Sequence, residues 1–134
     1  MTKLNPYLTF NGNCKEAMNF YKEVLGGDLS ILLVGDSPVA DQMPPGFHEG
    51  VLHSTLKAGD LEIMATDMTP NKLVEGNMVH LCLACKDEEE TRTMFDKLSD
   101  GGNVNQPLNE MFFGWIGKLT DKFGKPWMLE CDKK

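Results

Sequence analysis

"FYKEVLGG" (residues 20–27) and "FDKLSDGG" (residues 95–102) share a Phe, a nearby Lys and a closing double glycine in register. Each reads as the last turns of a helix stopped by glycine. Tracing back from the first copy, Asn13 is a good N-cap and Glu16 sits three residues on, as in a capping box. Ala17, Phe20, Tyr21 and Val24 then recur at helical spacing, with Met18 and Leu25 widening the stripe. In the second copy Asp87 is the cap, Glu90 lies three residues on, and Thr91, Met94, Phe95 and Leu98 form the inward stripe. An extended run precedes each helix: "PYLTF" (6–10) and "MVHLCLAC" (78–85). Three more follow each, near 28–35, 50–57 and 60–66, then near 103–108, 112–120 and 125–131. The fold class expected is α+β, with two tandem βαβββ modules forming curved mixed sheets. Module 1 covers about 1–68, a linker about 69–77 within "DMTPNKLVEGN" (67–77), and module 2 about 78–134 of a single domain.

The bulk numbers fit this scale. The 134 residues are 41% hydrophobic, enough for a real core. A net charge of −7 with no long basic run argues against a nucleic-acid or anionic-membrane partner. The opening "MTKLNPYLTF" is too polar and short for a signal peptide, and no apolar run approaches the roughly 20 residues that span a bilayer. A cytoplasmic protein is expected. Cys82 and Cys85 match C-x-x-C by spacing, but on a strand residues three apart face opposite ways, so two separate thiols are expected. The Pro- and Gly-rich "GDSPVADQMPPGFHEG" (35–50) reads as a long loop, either a solvated excursion or a flap over a pocket.

One helix per module covers one face of its strands. The other face is left to curl into a trough, to pair with another subunit, or both. That trough is where function is sought.

"NPYLTFNGNCKEAMNFYKEVLGG" (5–27), "VLHSTLKAGDLEIMATDMTP" (51–70) with its Asp67, and "GKLTDKFGKPWML" (117–129) resemble the PhnB-like proteins. That group lies in the vicinal oxygen chelate superfamily, the glyoxalase and bleomycin-resistance fold, and often carries the name 3-demethylubiquinone-9 3-methyltransferase. The resemblance covers nearly the whole chain. It implies paired βαβββ modules and a homodimer. It also implies metal positions, because metal-dependent members place a His or Glu on the first and last strand of each module. Carried over one at a time, His80 matches on the first strand of module 2 and Glu62 on the last strand of module 1. The first strand of module 1 offers only Asn5, Pro6 and Tyr7, and Met128 stands where the last acid is expected. Glu130 faces the same way as Met128 but ~6.6 Å further along, at ~3.3 Å per residue, too far to replace a metal–oxygen bond of about 2.0–2.2 Å.

No metal cofactor is therefore favoured. A rebuilt divalent site (Zn, Fe, Mn or Ni) remains as an alternative. If Ala58-Gly59 forms a two-residue hairpin loop, Thr55 opposes Glu62 and His53 becomes Glu62's diagonal neighbour on the same face. His80, Glu62 and His53 would then be the ligands of a lyase, isomerase or dioxygenase type of enzyme. Alternation places Met64, Thr66, Met128 and Glu130 on the trough face with His80 and Cys82. Phe113 and Trp115 from "MFFGWIG" (111–117) are further candidate walls. A Met in place of Glu removes charge and leaves an apolar surface with a few polar groups, suited to an amphipathic small-molecule ligand. The readings are thus a small-molecule binding protein, a metal-dependent enzyme, or a dimerisation module whose trough holds only its own side chains.

Overall fold

The computed structural model describes residues 2–69 and 72–132. Two compact units divide the chain, Met1–Val74 and Glu75–Lys134. Residues 70 and 71 of the expected 69–77 linker lie outside the described residues.

The first unit runs β1 (Tyr7–Thr9), α1 (Cys14–Leu25), β2 (Asp28–Leu33), three short 3-10 turns, β3 (Val51–Ala58) and β4 (Leu61–Thr66). Its sheet order is β1-β4-β3-β2, with β1 parallel to β4 and the other pairs antiparallel. The second unit repeats the plan with β5 (Leu81–Ala84), α2 (Glu88–Ser99), β6 (Asn103–Met111), β7 (Gly114–Thr120) and β8 (Pro126–Asp132). Its order is β5-β8-β7-β6, with β5 parallel to β8. This is the α+β, twice-βαβββ architecture that the duplicated helix pattern predicts.

Each helix buries most of its predicted stripe: Ala17, Met18, Tyr21 and Val24 on α1, and Thr91, Phe95 and Leu98 on α2, while Phe20, Leu25 and Met94 are only half-buried and Cys14 joins the buried face of α1. Ile63 and Ala65 of β4 are buried in the first unit, and Leu119, Trp127, Leu129 and Cys131 in the second. The double glycines turn the chain from helix to strand. Gly26 and Gly101 take positive φ (76° and 77°), which glycine adopts without steric cost. The second glycine of each pair lies against backbone: a β-carbon on Gly27 would collide with the Lys57 carbonyl, and one on Gly102 with the Thr120 carbonyl.

The helix starts differ. Asp87 caps α2 as expected, its carboxylate accepting from the Glu90 N–H at 2.8 Å. Asn13 precedes α1 but its side chain makes no capping bond. Asp67, just after β4, supplies the acceptor: one oxygen takes the N–H of Gly12 (2.8 Å) and Cys14 (3.0 Å), the other that of Val51 (2.9 Å). A carboxylate at the positive end of a helix satisfies orphan amides and complements the dipole.

Asp121 plays a comparable part between β7 and β8. Its side chain accepts from the Phe123 N–H (2.9 Å), the Lys125 N–H (3.0 Å) and the indole Nε1–H of Trp127 (2.8 Å). "DKFGKPW" (121–127) is therefore a turn built around one buried carboxylate. The 34–50 segment is likewise self-bonded. His48 Nε2 contacts the carbonyls of Ala40 (2.8 Å) and Met43 (3.2 Å), so that nitrogen carries the proton and donates.

Candidate functional site

Alternation along the sheet ladder sorts the candidate residues by face. In the second unit Cys82 pairs with Met128 and Ala84 with Glu130 across β5 and β8, while Lys118 pairs with Met128 and Ile116 with Glu130 across β7 and β8. These side chains share the face turned away from α2. His80, immediately before β5, has the same parity as Cys82 and is half-buried. Met128 thus sits in a row with Cys82 on one side and Lys118 on the other, and Glu130 lies one pleat further along. Met128, Glu130, Lys118 and Ile116 are all partly exposed. The surface is apolar at the thioether and isoleucine, with a cation (Lys118) and an anion (Glu130) in the same rows. Cys82 is exposed, and what burial it has, together with the Glu130 carboxylate, pushes its thiol above the ordinary value of 9.0.

Trp115 does not join that row. It opposes Cys131, whose side chain is buried on the helix side, and the Arg92 guanidinium of α2 lies 4.5 Å from its ring centre. One residue of strand offset decides this, because successive side chains alternate faces. Phe113 does not join the row either. The expected strand at 112–120 begins only at Gly114, and Phe112-Phe113 form the tip of the β6–β7 hairpin. Phe112 is 89% and Phe113 43% exposed, and their rings meet edge to face at 5.1 Å.

On the helix side lies a cleft that the sequence reading missed. Its volume is about 660 Å³, and Asp87, Arg92, Glu110, Trp115, Cys131 and Asp132 are among the residues that line it. Trp115, a candidate wall in the sequence, is one of them. The Arg92 side chain occupies the face of that indole, and its Nε donates to Glu88 at 2.7 Å.

In the first unit Glu62 and Met64 share the face turned from α1, opposite Lys57 and Thr55. The Glu62 carboxylate stands between Lys3 (3.9 Å) and Lys57 (4.0 Å), both well exposed, so these ion pairs are weak but satisfy its charge. Thr66, expected on the same face, is buried, and its hydroxyl bonds the carbonyls of Val51 and Leu52.

The hairpin register corrects the rebuilt metal site. The turn is Gly59-Asp60, not Ala58-Gly59, and Ala58 pairs with Leu61. Thr55 therefore opposes Met64 rather than Glu62, and His53 moves one further pleat from the carboxylate. His53 is exposed and stacks on Tyr7 at 6.2 Å. Among the described residues no three His, Cys, Asp or Glu side chains come together as a ligand set. Within the first unit, Glu62 is held by two lysines and His53 stacks on Tyr7, so these two donors do not stand as diagonal neighbours.

Comparison with known proteins follows from this architecture. Residues 2–130 match the family model described as 3-demethylubiquinone-9 3-methyltransferase. Protein YjdN of Escherichia coli K12 is 31% identical, over 98% of this chain and 96% of that protein. The crystal structure of PA1353 from Pseudomonas aeruginosa superposes with a TM-score of 0.89 at 34% identity, covering 100% of both chains. A putative 3-demethylubiquinone-9 3-methyltransferase, PhnB protein, from Bacillus cereus gives a TM-score of 0.76 at 29% identity, over 97% of this chain and 99% of that one. The arrangement of two four-stranded mixed sheets, each with one helix, is the glyoxalase/bleomycin resistance fold. By sequence match over nearly its full length, the chain belongs to the 3-demethylubiquinone-9 3-methyltransferase family, and its fold is that of the glyoxalase/bleomycin resistance proteins.

Proposed function

We propose that the protein binds an amphipathic small molecule on its helix-free sheet surface, with Met128 at the centre of contact. The observation that carries this is the row Cys82–Met128–Lys118, with Ile116 and Glu130 one pleat along: apolar area with polar groups beside it. Glu62 and Met64 give the first sheet a face of the same mixed character. The helix N-termini do not favour a nucleotide-like cofactor. Asp67 already occupies the amides at the start of α1, and α2 opens with Glu88, Glu89 and Glu90, which repel a phosphate. A cytoplasmic setting is part of this reading, supported by four cysteines of which none is joined in a disulfide.

A panel of amphipathic compounds screened by thermal unfolding tests the proposal. A compound at 100 times its Kd stabilises by about 2.7 kcal/mol, a rise of several degrees in Tm. Met128→Lys places a second cation beside Lys118 and is expected to abolish that rise. An equal rise in the variant would remove Met128 from the site.

The same reading includes a homodimer, supported by an exposed apolar margin on β6 and its hairpin: Val104 (47%), Met111 (39%), Phe112 and Phe113. Phe112→Asp is expected to shift the protein from dimer to monomer in sedimentation velocity. A parent protein that is monomeric at micromolar concentration would contradict this part.

No helix among the described residues is long and apolar enough to cross a membrane.

A further inference from the structure

Cys85 and Cys131 stand opposite one another on neighbouring parallel strands. The β5–β8 ladder pairs Leu83 with Leu129 and Ala84 with Glu130, and the next bond, Cys85 N–H to the Glu130 carbonyl at 2.7 Å, carries it one residue further. The register therefore sets Cys85 against Cys131. Both share the parity of Leu83 and Leu129, on the α2 side, and both are buried, at 9% and 4% exposure. Neighbouring strands lie about 4.7–4.9 Å apart, inside the roughly 4.4–6.8 Å between Cα atoms of disulfide-bonded cysteines. Cys85 is the first residue past the end of β5, so its backbone is less constrained than a mid-strand position. Cys131 is among the residues that line the 660 Å³ cleft, which brings open space up to that residue.

We propose that Cys85 and Cys131 form a reversible redox site, a dithiol that closes to a disulfide on oxidation by a peroxide, with Cys131 as the entry sulfur. The Cys131 thiol loses its proton and attacks one peroxide oxygen. The O–O bond breaks, and the departing hydroxide takes up a proton to leave as water. The resulting sulfenic acid is attacked by the Cys85 sulfur. Its S–O bond breaks, and the second hydroxide leaves as water with the Cys85 proton. Two thiols give up two electrons and two protons, and one peroxide becomes two waters. Burial and the nearby Glu90 carboxylate hold the Cys85 thiol above its ordinary value, so it suits the resolving role better than the entry role. The closed bridge would tie the segment entering α2 to β8, alongside the cleft. The site stands on the face opposite Met128 and is independent of the small-molecule proposal.

The test uses the full reduced chain treated with hydrogen peroxide, trapped with N-ethylmaleimide under denaturing conditions and mapped by peptide mass. The expected result is joint loss of two thiols, a Cys85–Cys131 linked peptide lighter by about 2 Da than the two reduced peptides, and full reversal by dithiothreitol. Cys82→Ser, at an exposed position, should keep the linked peptide. Cys85→Ser, used if its circular dichroism matches the parent, should instead drive Cys131 on to sulfinic acid. Independent oxidation of the two residues, or linkage of either one to Cys82 or to another chain, would overturn the proposal. So would retention of both thiols at a peroxide dose that oxidises Cys82.

Discussion

Asp121→Ala is expected to lower stability by about 3–5 kcal/mol, the largest single-residue effect outside the apolar core. Asp121 is 3% exposed, and among the described residues its side chain accepts from two backbone amides and from the buried indole of Trp127. Hydrogen bonds to a charged acceptor contribute about 1.5–3 kcal/mol each, and a buried donor left alone costs about 1–3 kcal/mol. Trp127 is 1% exposed, so its N–H has no ready access to water once the carboxylate is gone. Urea unfolding should show a lower midpoint with an unchanged slope. Asp121→Asn should cost less: its carbonyl oxygen can still accept from the Phe123 and Lys125 amides, while its NH₂ meets the indole donor. In a double-mutant cycle, Asp121→Ala with Trp127→Phe should be less destabilising than the sum of the two. Additive effects would mean that the Asp121–Trp127 bond contributes nothing of its own.

The second large effect concerns the helix-closing glycines, and its ordering separates two causes. Gly27→Ala meets both. Its φ is +87°, and the new β-carbon would overlap the Lys57 carbonyl and fall 2.7 Å from the Ala58 β-carbon. Gly102→Ala meets the steric cause alone, against the Thr120 carbonyl and the Asp121 backbone 2.8 Å away. Gly26→Ala meets the dihedral cause alone, because nothing lies within 4 Å of its added carbon. Gly26, at φ 76° and ψ −160°, lies in a region open essentially to glycine, which costs another residue about 1–3 kcal/mol, and overpacking typically costs about 1–3 kcal/mol. The expected losses are therefore about 1–3 kcal/mol for Gly26→Ala, about 2–3 for Gly102→Ala and about 3–4 for Gly27→Ala. Thermal or chemical unfolding of the three variants checks the order; equal losses at Gly26 and Gly27 would show that strand contact plays no part.

These glycines also explain why the fold was legible. The pair "LGG" and "DGG" marks the same structural event in both halves, helix stop then close approach to a strand, and local chemistry alone demands it. Strand parity in "PWMLE" was equally readable, because Trp127 and Leu129 are buried and Met128 and Glu130 are not. The β3–β4 register was misread. Gly59 holds φ +58° and Asp60 follows without a positive φ, which is the Gly-X signature of a two-residue hairpin and favours Gly59-Asp60 over Ala58-Gly59. That signal was present, and it alone decides how far His53 stands from Glu62. Other features were not local. Asp67 reaches the α1 amides 53 positions earlier in the chain, so Asn13 was credited with a cap it does not make. Two phenylalanines at the β6–β7 turn carry no turn signature, which hid the parity of Trp115.

Chemical-shift mapping in the ¹⁵N-labelled protein, with a compound that raises Tm, tests the central claim most directly. The account predicts perturbations centred on Cys82, Ile116, Lys118, Met128 and Glu130, unchanged by exhaustive treatment with a metal chelator. Perturbations centred instead on Arg92, Trp115 and Glu110, around the helix-side cleft, would contradict it.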